Sequence, residues 1–164
     1  MILLDGKATA QSIRTELKAE VAQLTPKPGR APGLAVILVG EDTASQVYVR
    51  NKERACAEVG VNSFPHRLPA TTTQQELEAL IDQLNADAAV DGILLQLPVP
   101  KGLDSRRCLE RIRPDKDVDG FHPENMGRLA QGLPGFAPCT PAGVMELLQR
   151  YDLSPQGKKA VVVG

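Results

Sequence analysis

The 164-residue sequence lacks long hydrophobic runs, an excess of either charge and internal repeats. No apolar stretch approaches the roughly 20 residues that a membrane-spanning helix needs. The 19 basic and 20 acidic residues nearly cancel to a net charge of −1, so the sequence predicts no basic surface for nucleic acid or an anionic membrane. With 42% hydrophobic and 24% charged residues, the composition is that of a soluble globular protein.

Paired cysteines and a targeting segment are also lacking. Cys56, Cys108 and Cys139 are odd in number and far apart, with no Cys-x-x-Cys pair for zinc or a redox disulfide, so we expect reduced thiols. His66 and His122 have no set of metal-ligating neighbours, and we predict no metal site. The first residues lack the basic and apolar regions of a signal peptide, which favours a cytoplasmic protein.

Hydrophobic periodicity predicts alternating helices and strands. Helices are expected over 7–24, 43–59, 73–86, 104–112 and 141–151, and strands over 34–40, 61–68 and 91–98. The strand at 34–40 is apolar throughout, which is typical of a parallel strand covered on both faces. The alternation predicts an α/β fold, a three-layer α/β/α domain with a mainly parallel sheet.

The C-terminal quarter has a different composition. Glycine and proline are frequent over 131–141, as expected for a shaped loop or a domain boundary. The apolar segment 159–164 runs into Gly164, in the way that the first strand of a dinucleotide-binding βαβ unit does. We therefore predict one domain over 1–140, followed over 141–164 by a linking helix and the first strand of a Rossmann domain.

Tyr48 and Lys52 form the first candidate site, because they lie one turn apart on the second helix, with Ser45 on the same stripe. A lysine beside a phenol can transfer protons when it is desolvated, since desolvation favours the uncharged amine. The helix follows a predicted parallel strand, where open α/β sheets bind ligands. The alternative is that Lys52 lies on a solvated charged face while Tyr48 only packs, and the spacing alone favours this alternative.

Gln96 is the second candidate, because it is the one polar side chain within the apolar run at 93–97. A buried carboxamide without a partner would cost a few kcal/mol. Its partner is either a neighbouring backbone group or a bound ligand, and both remain open.

The segment 114–123 carries three alternating aspartates, of which the last is Asp119, followed by glycine, like the start of an EF-hand calcium loop. The twelfth position of that loop would be Met126 instead of glutamate, and Pro123 would occupy the ninth, so we predict no calcium site. An aspartate here can instead accept two N–H donors from an aminopyrimidine-like ring, or it can cap a turn. Cys139 has no evident base nearby in the sequence, and we do not predict a thiol nucleophile.

Taken together, four segments resemble the methylenetetrahydrofolate dehydrogenase/cyclohydrolase family. They are VGEDTASQVYVRNK at 39–52, DGILLQLPVP at 91–100, KDVDGFHP at 116–123 and PCTPAG at 138–143. They occur in the family's order and with similar spacing, and the resemblance extends from Asp5 to the last residue. It implies an enzyme that oxidises 5,10-methylenetetrahydrofolate with NADP and then hydrolyses the methenyl product to 10-formyltetrahydrofolate.

The resemblance also implies roles for individual residues. Lys52 would be the proton-transfer residue of the hydrolysis, assisted by Gln96. Tyr48 would stack on or position the folate, and Asp119 would hold the pterin ring. The residues implied in folate binding are Tyr48, Lys52, Gln96, Leu97, Pro98 and Asp119.

The resemblance implies a folate-binding catalytic domain over 1–140, an NADP loop that starts at Gly164, and a homodimer for the parent enzyme. Because the rest of the NADP domain would follow Gly164, we expect folate binding and hydrolysis from this chain and hydride transfer only from the parent. One alternative is a folate-binding module with little turnover. Another is a short-chain dehydrogenase, which also uses a Tyr-x-x-x-Lys pair, but no glycine-rich turn precedes Tyr48 here.

Overall fold

The computed structural model describes residues 3–24 and 29–163. In this part of the chain, three parallel strands form one sheet in the order β2-β1-β3. They are β1 (Gly33–Val39), β2 (Asn62–Leu68) and β3 (Gly92–Leu95). The parallel sheet confirms the predicted α/β class, and β1 is its central strand.

Six helices accompany the sheet within the described residues, and five of them were predicted from periodicity. They are α1 (Gly6–Leu24), α2 (Thr43–Val59), α3 (Gln74–Ala86), α4 (Ser105–Arg111), α5 (Pro123–Ala130) and α6 (Cys139–Arg150).

Alternate side chains of β1 enter two separate cores. Ala35, Ile37 and Val39 pack with the buried residues of α3 and α4. Val36 and Leu38 point the other way and pack with Val49 of α2 and Leu94 of β3. Since successive side chains of a strand point to opposite faces, this division confirms the predicted α/β/α layers.

The first helix, α1, lies outside these three layers, against α2 and α6. None of its residues is fully buried, and its apolar side chains Leu17 and Leu24 are 42% and 50% exposed. An ion pair of 2.6 Å between Glu16 and Arg150 links α1 to α6.

No helix in the described part of the chain is long and apolar enough to span a membrane.

Local capping interactions set the ends of the helices that follow the strands. Asp42 caps α2 by accepting a 2.7 Å hydrogen bond from the Ser45 N–H, and Gly60 ends the helix in the left-handed conformation. Thr73 and Glu76 form a capping box at the start of α3. These signals are short-range, which is why the sequence predicted both helices closely.

The end of β3 and the helix α5 differ from the sequence prediction. The third strand ends at Leu95 instead of Pro98, because a proline cannot donate to a strand ladder. The short helix α5 was not predicted, because its eight residues fall between the segment 114–123 and the loop at 131–141 and have too little periodicity to stand out. In the structure the His122 Nδ1 atom caps α5 by accepting from the Glu124 N–H at 3.1 Å.

The strand predicted at 159–164 does not form over its described residues, 159–163. Val161, Val162 and Val163 are 87–93% exposed, and no neighbouring strand satisfies their backbone groups, which a strand requires. Gly164 lies outside the described residues. The division into a domain over 1–140 and a second unit from 141 stays a prediction.

Candidate active site

The candidate site lies where β1 and β3 end. The two strands are adjacent and parallel, with Ile37 paired to Leu95, so their carboxyl ends meet at the same edge of the sheet. The chain leaves β1 for α2, which carries Tyr48 and Lys52, and leaves β3 for Gln96, whose N–H still donates to the Ile37 carbonyl at 2.8 Å. Ligands of open parallel sheets bind at this edge.

Lys52 and Gln96 meet across this edge. The Lys52 Nζ donates to the Gln96 Oε1 at 2.9 Å, and the Gln96 Nε2 donates to the Leu97 carbonyl at 2.8 Å. Because the Leu97 carbonyl can only accept, it fixes the orientation of the amide and directs Oε1 toward the lysine. The structure thus brings Lys52 to Gln96, and the carboxamide is satisfied by a side chain and a backbone group together.

Tyr48 lies one turn before Lys52 and leaves 62% of its surface exposed. Its ring is therefore free to cover a flat ligand beside the lysine. Ser45 does not share this surface, since it is only 2% exposed. Hydrogen bonds from the Ser45 hydroxyl and N–H lower the pKa of the Asp42 carboxyl, so Ser45 belongs to the helix cap.

The segment 116–119 reaches the same edge from beside β3. Ile93 and Asp117 form a parallel bridge, and the Ile93 N–H donates to the Lys116 carbonyl at 2.7 Å. Asp119 follows immediately, half-buried. The chain then turns at Gly120, where φ is +68° and a Cβ atom would lie 2.6 Å from the Ala137 carbonyl carbon.

This close approach brings Cys139 next to Asp119. The Cys139 Sγ lies 3.3 Å from the Val118 carbonyl oxygen. Partial burial raises the pKa of the thiol, the negative charge of Asp119 raises it further, and the positive charge of Lys52 opposes this. A raised pKa favours the protonated, less reactive form of the thiol near neutral pH.

Sequence reasoning did not find that Cys139 is a neighbour of the site. The signal that could have suggested it was its place in the PCTPAG segment, which the family resemblance already included. Of the remaining predicted folate residues, Leu97 packs against the core beside α3 and Pro98 is exposed. The predicted NADP residue, Gly164, lies outside the described residues.

The acidic residues that imitate a calcium loop are directed to different partners. Asp115 pairs with Arg113 at 2.7 Å, Asp117 is buried, and Asp119 faces Cys139. Within residues 3–24 and 29–163, no group of three or more His, Cys, Asp or Glu side chains could hold a metal ion.

A cavity of about 550 Å³ exists elsewhere, between α5 and the 114–115 segment, and none of the candidate residues lines it.

Residues 4–119 match the family model of the tetrahydrofolate dehydrogenase/cyclohydrolase catalytic domain. The chain belongs to this family. The assignment removes the short-chain dehydrogenase alternative, and it covers the segment that carries Tyr48, Lys52, Gln96 and Asp119.

Curated relatives and solved structures agree with this assignment. The chain is 76% identical over 164 residues to the bifunctional protein FolD of Nitratidesulfovibrio vulgaris (strain DSM 19637 / Miyazaki F), covering 100% of this chain and 57% of that protein. The bifunctional FolD structure from Campylobacter jejuni has a TM-score of 0.97 at 51% identity, covering 100% and 58%. The Trypanosoma brucei enzyme, solved with NADP cofactor and inhibitor, has a TM-score of 0.90 at 40% identity, covering 95% and 54%. The chain thus spans a little over half the length of these proteins.

Proposed function

We propose that the protein is an enzyme of one-carbon metabolism with two activities. It oxidises 5,10-methylenetetrahydrofolate with NADP to the methenyl compound, and it hydrolyses that product to 10-formyltetrahydrofolate. The observation that carries the proposal is the 2.9 Å hydrogen bond between Lys52 and Gln96, at the ligand-binding edge of a chain that belongs to the tetrahydrofolate dehydrogenase/cyclohydrolase family.

The hydrolysis explains why these residue types stand together. The methenyl carbon is electrophilic, because it shares a positive charge with the two nitrogens that flank it. Water adds to this carbon and loses one proton, which leaves a hydroxyl on the carbon. That hydroxyl loses the second proton as the formyl C=O forms, the bond from carbon to N5 breaks and N5 gains a proton, so one proton is released overall. One positioned amine can accept the proton of the attacking water and deliver a proton to N5, and Lys52 is the residue for this role.

Gln96 holds the lysine for proton transfer. Its amide is fixed by the Leu97 carbonyl at 2.8 Å, so its oxygen keeps the Lys52 Nζ at one point of the edge. Proton transfer requires the donor and the acceptor within hydrogen-bond distance. A mobile lysine would satisfy this requirement only part of the time.

Asp119 and Tyr48 bind the folate in this proposal. A carboxylate can accept two N–H donors from the aminopyrimidine part of the pterin, and Asp119 lies at the same edge as Lys52. The exposed ring of Tyr48, at 62%, covers the flat part of the ligand one helical turn away. Leu97 and Pro98 complete the folate site after β3.

The oxidation depends mainly on NADP, which accepts the hydride when bound. The part played by this chain's residues is to hold the folate carbon in position for that transfer. Among the described residues no glycine-rich turn opens a helix as a phosphate-binding loop does. NADP is proposed on the likeness to the T. brucei enzyme, which was solved with it.

We further propose a cytoplasmic location, a homodimer for the parent enzyme, and a role in supplying 10-formyl groups for purine biosynthesis. These follow from the family resemblance. They need tests on the whole protein.

The test measures methenyltetrahydrofolate hydrolysis and tetrahydrofolate binding on the purified chain. Lys52→Ala should reduce hydrolysis by about 100-fold or more while changing the tetrahydrofolate Kd by less than about tenfold. Lys18→Ala, on the exposed side of α1, is the matched control and should behave as the unchanged chain. Hydrolysis by Lys52→Ala at the parental rate would contradict the role of Lys52, and absence of tetrahydrofolate binding would contradict the function.

A further inference from the structure

The segment that carries Asp119 has little backbone pairing of its own. Within the described residues it joins the sheet through the single bridge between Ile93 and Asp117. Two charged side chains just before Asp119 are nevertheless almost completely buried, with Lys116 8% and Asp117 1% exposed. Charged groups are buried this deeply only when they are well paired.

Lys116 anchors the segment on one side, to the end of α3. Its Nζ donates to the Leu84 carbonyl at 3.0 Å and to the Asp87 carbonyl at 2.8 Å. The last carbonyls of a helix have no partner within the helix, and their partial negative charge favours a cation. The Lys116 ammonium therefore holds the segment to a rigid element of the core.

Asp117 anchors the segment on the other side, to the start of α5. Its Oδ2 accepts from the His122 N–H at 2.8 Å and from the Asn125 Nδ2 at 2.9 Å. The same Nδ2 of Asn125, a residue 3% exposed, donates to the Pro114 carbonyl at 2.9 Å. These bonds link both ends of the short stretch 117–122, and Asp119 lies within it.

We propose that Lys116 and Asp117 are positioning residues for folate recognition, which act by holding the Asp119 carboxylate at the edge beside Lys52. This inference rests on the proposed function. Asp117 is too deeply buried to touch a ligand, so its contribution passes through Asp119. The hydrogen bond from the His122 N–H to the Asp117 carboxylate joins the two ends of the stretch 117–122. Because the stretch is held in this turn, the Asp119 carboxylate can take only a restricted range of directions.

The test is a double-mutant cycle on tetrahydrofolate binding, with Asp117→Asn, Asp119→Ala and the double variant. Asp117→Asn should weaken binding about tenfold, because a neutral amide oxygen accepts weaker hydrogen bonds from the His122 N–H and the Asn125 Nδ2 than the carboxylate does. In the Asp119→Ala background the same change should have almost no further effect, because residues that act through one group are not additive. Equal effects in both backgrounds would overturn the inference.

Glu78→Gln is the matched control. Glu78 is a comparably buried carboxylate at 5% exposure, paired with Arg107 and Arg111 between α3 and α4, away from the site. The Glu78→Gln variant should lower the midpoint of urea unfolding while leaving the Kd for tetrahydrofolate unchanged. If Glu78→Gln weakens binding as much as Asp117→Asn, the effect is general destabilisation and the inference is wrong.

A milder variant covers the case in which Asp117→Asn does not fold. Asn125→Ala removes one of the two hydrogen bonds that the Asp117 carboxylate accepts and should weaken binding measurably, again only when Asp119 is present. An unchanged Kd would refute the inference. If the unmodified chain binds no tetrahydrofolate, the proposed function fails as well; if Asp119→Ala weakens binding but neither Asp117→Asn nor Asn125→Ala does, only this inference fails.

Discussion

The Lys52 Nζ and the Gln96 Oε1 lie 2.9 Å apart although 44 residues separate them in the chain. Lys52 lies on α2, which follows the end of β1, and Gln96 directly follows the end of β3. The contact joins two candidates whose cooperation the family resemblance implied and whose spacing along the chain does not show. It also turns the Lys52 side chain toward the sheet edge instead of toward bulk solvent.

The first prediction concerns this pair. Gln96→Leu keeps a similar volume but removes the acceptor for Lys52 and the donor for the Leu97 carbonyl. We expect kcat for methenyltetrahydrofolate hydrolysis to fall about tenfold or more, the equivalent of one lost hydrogen bond to a charged group. Steady-state kinetics checks this, with Gln83→Leu on the exposed side of α3 as the control. A kcat within a factor of two of the parent would refute the role of Gln96.

The second prediction separates packing from hydrogen bonding at Tyr48. Tyr48→Phe should retain most tetrahydrofolate affinity if the ring covers the ligand, whereas Tyr48→Ala should lose about tenfold. Because the residue is 62% exposed, both variants should unfold within about 0.5 kcal/mol of the parent. Titration calorimetry and urea unfolding measure the two quantities. Equal losses in both variants would assign the contribution to the hydroxyl.

The third prediction uses two glycines with the same backbone conformation. Gly120 and Gly132 both have φ of +68°, but only at Gly120 would a Cβ atom collide, 2.6 Å from the Ala137 carbonyl carbon. Gly132→Ala should cost about 1–2 kcal/mol of unfolding free energy, from left-handed strain alone. Gly120→Ala should cost clearly more and also weaken folate binding, since the turn adjoins Asp119. Equal unfolding midpoints in urea would argue against the close approach.

The fourth prediction concerns the Cys139 thiol and needs no substrate. Burial and the Asp119 charge raise its pKa, so alkylation by iodoacetamide near neutral pH should be slow and should accelerate as pH rises through that pKa. Asp119→Asn removes the negative charge and lowers the thiol pKa, so it should speed alkylation at a given pH. Cys56 and Cys108 are buried, so labelling reports on Cys139.

The control for that experiment is Asp115→Asn. Asp115 pairs with Arg113 and is not among the charges that act on the Cys139 thiol. Its replacement should leave the pH profile of alkylation unchanged. A slower reaction in Asp119→Asn would mean that Asp119 does not lie beside the thiol.

Elements with strong local signals could be predicted from the sequence. The Asp42 cap and Gly60 bound α2, and the capping box at Thr73 begins α3, because both signals act within a few residues. The short helix α5 escaped prediction, since an eight-residue segment interrupted by Gly127 has too little periodicity to stand out. The segment 159–163 shows the converse case, because an apolar run has strand propensity whether or not a neighbouring strand is available, and among the described residues it pairs with none.

The sequence by itself determined that Tyr48 and Lys52 share a helix face, that β1 is buried on both sides, and that the chain belongs among α/β folds, because these depend on the repeat of a single helix or strand. Only the tertiary structure decided that the Lys52 Nζ meets the Gln96 Oε1 and that Cys139 lies against Asp119. Such contacts join residues far apart in the chain. They arise from the pairing of parallel strands and the packing of loops at the sheet edge, which no local periodicity encodes.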